Sequence, residues 1–290
     1  MMKKLFFALI VLAMVACTPK VQQLDEGLRF CEAVYTYGDK LLITNFGSDE
    51  LNPLTTTEYK GYIMQYDGEM LTPFINANGM LSAPKGMVVA GDYLYVADVQ
   101  RVVVFDLSSE DKRAFVLPQA GKDLFVNHLE LVGNMILASV TNSDHILALR
   151  VGKNGEPGIA GFQIYTYVPG ANGLLYDGDK LYIASYNLNG TPDEENVIYV
   201  IDDLSNPEPR PFISRMGMYD GLALNNGWLY FTDWVDATLG RVKLSDPENI
   251  EIIPLQLDEP MVGPAEIDFY NGALCVPDLP NSRVLMIKNL

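Results

Sequence analysis

Asn172–Ser185 reads NGLLYDGDKLYIAS. A polar residue opens it, apolar positions follow, Asp177-Gly178 makes a turn, and a second apolar run closes it. Asp-Gly between apolar runs signals a β-hairpin, because tight hairpin turns need the positive φ that Gly adopts freely. The template recurs without gaps at Glu32–Asn45 (EAVYTYGDKLLITN), Lys85–Asp98 (KGMVVAGDYLYVAD), Asn127–Val140 (NHLELVGNMILASV), Asp220–Asp233 (DGLALNNGWLYFTD) and Ala265–Asp278 (AEIDFYNGALCVPD). The first residue of each copy is its anchor. Successive anchors lie 53, 42, 45, 48 and 45 residues apart, the step of a propeller blade at about 40–50 residues.

A third apolar run follows each hairpin, as at Arg101–Phe105, His145–Leu149, Asn196–Ile201 and Arg283–Ile287, and a weaker fourth at Ala114–Leu117 and Ile250–Ile253. The expected fold is all-β: a six-bladed β-propeller of four-stranded antiparallel blades. The sixth unit reaches Leu290 after three strands. Leu28–Phe30 is expected to supply its fourth strand and close the ring, which removes open sheet edges. Residues 28–290 then form one domain, with Gly47–Glu58 a loop of the first blade.

The chain has 290 residues, 49% apolar and 20% charged, with a formal net charge of −17, a globular composition. That sign repels phosphate backbones, so nucleic-acid binding is not expected. The two histidines, His128 and His145, cannot build a three-His zinc site. There is no GxSxG, Walker A, GxGxxG or CxxC motif. The expected partners are therefore a small-molecule substrate, or a protein or glycan of the cell envelope.

Residues 1–16 read as a bacterial lipoprotein signal peptide: Lys3-Lys4, an apolar run Leu5–Ala16, then Cys17. Met14-Val15-Ala16-Cys17 resembles a lipobox, which makes Cys17 the lipidation site and residues 17–27 a lipid-attached linker. No later run is apolar and long enough to span a bilayer. The expectation is a monomer held at the envelope by its lipid alone, with Thr18 after the cysteine favouring the outer membrane. Cys31 and Cys275 could pair in an oxidising compartment. Their apolar strand contexts favour two buried thiols.

Asp98, Asp233 and Asp278 close second strands, and Arg101, Arg241 and Arg283 follow. The pattern resembles NHL-type blades, and its expected role is structural, a carboxylate clamping a loop.

The first strand of a blade lines the central channel, so the anchors form a ring: Glu32, Lys85, Asn127, Asn172, Asp220 and Ala265. Two carboxylates and two amides make a hard oxygen set suited to Ca²⁺ or another divalent ion. The same ring also reads as ordinary channel polarity, capping backbone groups or holding water. Gly86, Gly173 and Gly221 follow three anchors and permit close backbone approach.

With Glu early in blade 1, Asn-Gly in blade 4 and Asp-Gly in blade 5, the chain resembles the senescence marker protein/gluconolactonase (regucalcin-like) family. That resemblance implies one channel metal held by Glu32, Asn172 and Asp220, Ca²⁺ first and Zn²⁺ or Mn²⁺ next. It implies Asp220 as the catalytic base and Asn127 beside the site. The chain departs from the family where Ala33-Val34 and His128 follow their anchors. Lys85 and Asn127 are expected to bind substrate, and Met218 and Tyr219 to wall the pocket. His128, next to an anchor, is expected to point away from the channel.

The resulting expectation is a membrane-anchored, metal-dependent hydrolase of the lactone or ester type. The alternative is a non-catalytic propeller that binds a protein, peptide or glycan.

Overall fold

The computed structural model describes residues 19–51, 58–117 and 125–290. Cys17 and the leader lie outside the described residues, as does part of the Gly47–Glu58 loop. Six four-stranded antiparallel sheets stand around one axis, and the described helix content is a single 3₁₀ turn, Thr141–Ser143. From the inner strand outward, blade 1 is Cys31–Tyr37, Lys40–Asn45, Tyr62–Tyr66 and Leu71–Ile75, and blade 2 is Pro84–Ala90, Tyr93–Asp98, Arg101–Asp106 and Ala114–Val116. Blade 3 is Val126–Val132, Met135–Val140, His145–Arg150 and Gln163–Tyr167, and blade 4 is Ala171–Tyr176, Leu181–Ser185, Tyr199–Ile201 and Arg210–Pro211. Blade 5 is Tyr219–Asn225, Trp228–Asp233, Thr238–Lys243 and Asp246–Ile252. Blade 6 is Asp268–Tyr270, Ala273–Asp278 and Arg283–Lys288, completed by Lys20–Leu24.

Hairpin chemistry builds the inner pairs. Asn226 and Gly227 sit at φ 50° and 78°, the doubly positive φ of the two-residue turn that suits strand twist. Apolar residues of successive blades interdigitate. Leu174, Ile183 and Val200 of blade 4 share one buried cluster with Leu222 and Phe231 of blade 5. Cys31 and Cys275 are both buried free thiols in the cluster joining blades 1 and 6.

The ring closes one segment earlier than expected. Lys20–Leu24 pairs with Arg283–Lys288, Lys20 facing Lys288 and Leu24 facing Val284, so part of the stretch read as linker is blade. Leu24 is buried among blade 1 and 6 side chains, and Val21 packs on the blade 5–6 cluster. Leu28–Phe30 does not continue as strand because Gly27 and Phe30 take φ of 73° and 51°, left-handed values that turn the chain into blade 1.

In blades 1 to 5 the inner ladder slips just after its first pair. Cys31 faces Asn45 but Val34 faces Ile43, and the same shift occurs after Pro84, Val126, Ala171 and Tyr219. Three steps on the inner strand meet two on its partner, which is a one-residue bulge. Strand hydroxyls take up the freed N–H groups: Ala33 donates to Thr44 Oγ1 at 2.9 Å, His128 to Ser139 Oγ at 2.9 Å and Gly221 to Thr232 Oγ1 at 2.8 Å.

The Asp–Arg clamps are structural in blades 2 and 6. Asp278 accepts from the backbone N–H groups of Val262 and Gly263 and from Arg283, whose guanidinium also donates to the carbonyls of Glu259 and Pro260. Asp98 does the same for Ser82, Ala83 and Arg101. Blade 5 differs from expectation. Thr238, not Arg241, faces Asp233, and Arg241 pairs with Glu251 and stacks on Trp228. Blade 4 starts its third strand late, at Tyr199. Asn196 serves instead as a clamp, donating to Ser185 Oγ and accepting from the Asp193 N–H.

Candidate functional site

Each inner strand enters the ring at its anchor, and the bulge that follows fixes which side chains face the axis. Glu32, Lys85, Asn127, Asn172 and Asp220, from five blades, line one cavity of about 150 Å³. All five are 6% exposed or less. Ala265 holds the sixth anchor position, in register with the others through the Pro264–Asp278 bridge, and contributes no polar group.

Two glycines let the strands crowd this closely. A Cβ on Gly173 would lie 2.1 Å from the Asp220 carbonyl oxygen, and one on Gly86 would lie 2.8 Å from His128 Cα. Both clashes are with a neighbouring blade's backbone, which cannot swing aside.

Lys85 Nζ lies 3.5 Å from Glu32 Oε1 and 4.9 Å from the ring centres of both Phe46 and Phe125. Its charge is therefore held by one carboxylate and two aromatic faces. Burial raises the Glu32 carboxyl to about 7, with Lys85 opposing the shift. Burial raises Asp220 well above the ordinary range too, reinforced by the Glu32 and Glu266 carboxylates. Stacking buried carboxylates costs free energy unless something answers their charge.

Three buried oxygens of this ring have no hydrogen-bond partner: Glu32 Oε2, Asn172 Oδ1 and Asp220 Oδ1. Buried polar atoms are ordinarily paired, so three orphans on one cavity mark a place for a cationic or hydrogen-bonding guest. Among the described residues, no group of three His, Cys, Asp or Glu side chains is arranged to hold a metal. The orphaned set instead has two carboxylates and an amide oxygen. That is a hard donor set fitting an oxygen-seeking divalent ion completed by water or substrate.

His128 is not turned away from the channel. The bulge places both the anchor and the next residue toward the axis, where simple alternation would separate them. The residues after the anchors are Ala33, Gly86, His128, Gly173, Gly221 and Glu266. Four are small, and the remaining two belong to opposite blades and meet across the axis, His128 Nδ1 at 2.7 Å from Glu266 Oε2. This is an ion pair by distance. Glu130 Oε2 stands 3.9 Å from His128 Nε2. Burial alone would lower the imidazole pKa, but the two carboxylates outweigh it and raise it to about 10, favouring the imidazolium. Glu266 had no part in the sequence expectations. Its signal was present, since four small residues in this column single out the other two.

Met218 and Tyr219 do not wall the cavity. Tyr219 lies in the blade 4–5 core with its hydroxyl donating to the Arg215 carbonyl. The walls are Phe125, Tyr186, Leu188, Trp234 and Leu279. Tyr186 keeps its proton, burial raising the phenol to about 12.

The molecule is thus a six-bladed β-propeller with a carboxylate-bearing cavity at one end of its channel. It shares this fold with solved structures of low sequence identity. The luciferin-regenerating enzyme aligns with a TM-score of 0.66 at 12% identity, covering 94% of this chain and 96% of its own. A streptogramin B lyase aligns at 0.60 and 13%, covering 93% and 97%. The gluconolactonase XC5397 from Xanthomonas campestris aligns at 0.54 and 18%, covering 92% and 97%. No protein-family profile and no curated protein sequence matches the chain.

Proposed function

We propose that this protein is a divalent-cation-dependent hydrolase of lactones or esters, carried at the cell envelope by a lipid on Cys17. The observation that carries the reading is the trio of orphaned buried oxygens, Glu32 Oε2, Asn172 Oδ1 and Asp220 Oδ1, facing one cavity. The shared fold with a gluconolactonase adds support of an analogical kind.

These three residues would hold the ion, Ca²⁺ in preference to Zn²⁺ or Mn²⁺ because every donor is oxygen. Bound there, a divalent ion supplies Lewis-acid polarisation of a carbonyl. The other work falls to the chain. Asn127 can donate its amide N–H to the substrate's ester or carbonyl oxygen. Lys85, beside Glu32, can orient the oxygen that gains charge as water attacks. Asp220 accepts a proton from that water as the new C–O bond forms, and returns it to the departing alkoxide oxygen as the ester C–O bond breaks. Burial makes the ionised Asp220 a stronger base than a free aspartate.

Calorimetric titration of the metal-stripped protein with Ca²⁺, Zn²⁺ and Mn²⁺, alongside N172A and D220N, tests the site. Tight binding lost in both variants is expected, together with chelator-sensitive lactone or ester turnover. Unchanged affinity in the variants removes the assigned site. Silence across substrates, with an envelope protein or glycan recovered instead, favours a non-catalytic receptor.

A further inference from the structure

Above its polar ring the cavity changes character. The residue fourteen positions after each anchor is Phe46, Val99, Thr141, Tyr186, Trp234 or Leu279. In five blades its N–H donates to the carbonyl sixteen residues earlier: Phe46 to Phe30, Thr141 to Phe125, Tyr186 to Gly170, Trp234 to Met218 and Leu279 to Gly263. One repeated bond thus holds a collar of side chains over the anchors. Phe46, Val99, Phe125 and Leu279 form a single buried apolar cluster, with Trp234 packed against it. The Trp234 ring is wedged so tightly that a Cβ on Gly263 would lie 2.7 Å from it.

Sugar rings are recognised by polar side chains spaced along the wall, since each buried hydroxyl needs a partner. Here Phe125, Leu188 and Leu279 offer none, and Tyr186 and Trp234 offer one hydroxyl and one indole N–H. The other polar side chains of the lining, Glu32, Lys85, Asn127, Asn172 and Asp220, lie deeper, on the anchors.

We propose that the cavity selects an amphipathic ester or lactone, with its acyl carbonyl at the anchor ring and an apolar alkyl or aryl body inside the Phe125–Trp234–Leu279 collar, and that it discriminates against sugar lactones. This specificity rests on the hydrolase reading above, but it can be measured by binding alone.

The W228F variant leaves Trp234 as the sole tryptophan of the two in the chain, a reporter on the collar. Its emission is titrated with 3-alkylcyclohexanones, carbocyclic counterparts of δ-lactones that cannot be hydrolysed, and with D-glucono-1,5-lactam. From methyl to pentyl, affinity is expected to rise about three- to fourfold per methylene, with the lactam binding weakest. L188S, at a site 37% exposed, is expected to weaken the pentyl ketone several-fold. Affinity independent of chain length, or lactam binding as tight as the pentyl ketone, overturns the proposal. If the ketones bind as expected while neither δ-decalactone nor gluconolactone is hydrolysed with any divalent ion, the ligand class stands and the hydrolase reading fails. If gluconolactone is hydrolysed with a higher kcat/KM than δ-decalactone, the hydrolase stands and the class falls.

Discussion

His128 of blade 3 and Glu266 of blade 6, half a turn apart around the ring, bring Nδ1 and Oε2 to 2.7 Å across the channel axis. Both are buried, and the bar they form joins opposite sides of the toroid. Removing one partner of a buried pair leaves an uncompensated charge, at a cost of about 3–5 kcal/mol. E266A should therefore lower the denaturant midpoint strongly, and H128A likewise. The double variant H128A/E266A should lose less than the sum of the two. Additive losses would show that the pair is not coupled.

The metal-stripped protein should lose stability as pH rises. Glu32 titrates near 7 in the fold against 4.5 for its ordinary value, and His128 near 10 against 6.5. Both folded values are raised, so the native state binds more protons than the unfolded chain between each pair of values. The Glu32 contribution is fully present below 4.5 and gone above 7. That of His128 is fully present below 6.5 and lost as pH climbs toward 10. Melting temperature measured from pH 5 to 9 should fall throughout. E32Q should flatten the segment below pH 7 and leave the upper segment in place.

Gly173→Ala should destabilise the seam between blades 4 and 5. The added methyl meets the Asp220 carbonyl oxygen at 2.1 Å, and strand backbone on both sides prevents relief. A loss of about 3 kcal/mol, at the upper end for overpacking, is expected in chemical denaturation. Metal affinity should fall with it, because the strand displaced carries Asp220. Wild-type stability in this variant would contradict the close approach.

The two Asp–Arg clamps should rank by burial. Asp278→Ala leaves Arg283, which is 3% exposed, with only the exposed Glu259 carboxylate at 3.6 Å, whereas Asp98→Ala frees Arg101, whose side chain is 23% exposed and can find water. The first substitution should cost about 3–5 kcal/mol and the second distinctly less, as read from paired urea titrations. Equal losses would mean that the backbone N–H contacts dominate both sites.

Blade number, strand order and the anchor ring were legible because each depends on local chemistry repeated six times: a turn pair, an apolar run, a polar first residue. Glu32, Lys85, Asn127, Asn172 and Asp220 therefore meet where their phase predicted. The inward turn of His128 was not legible, because strand alternation assumes an unbroken ladder and the bulge breaks it. Glu266 was hidden by the same slip, one residue past the expected anchor Ala265. The closing strand was misplaced because Leu28–Phe30 looks apolar, while its direction is set by the left-handed φ of Gly27 and Phe30. The Asp-then-Arg pattern points to Arg241 as a clamp, and pairing register places Thr238 there instead.

The outermost strand of blade 6 starts at Lys20, opposite Lys288. Lys288 ends the strand that Arg283 begins, and Arg283 sits beside Asp278 and Leu279 at the cavity's mouth. Lys20 therefore leaves the toroid on the reverse face. Thr18 and Pro19 alone separate it from Cys17, too short a leash to wrap around the rim. Acylation of Cys17 would seat the molecule with its back to the bilayer and its opening toward the aqueous compartment. Its supply would then be solutes diffusing past the membrane rather than lipids drawn out of it.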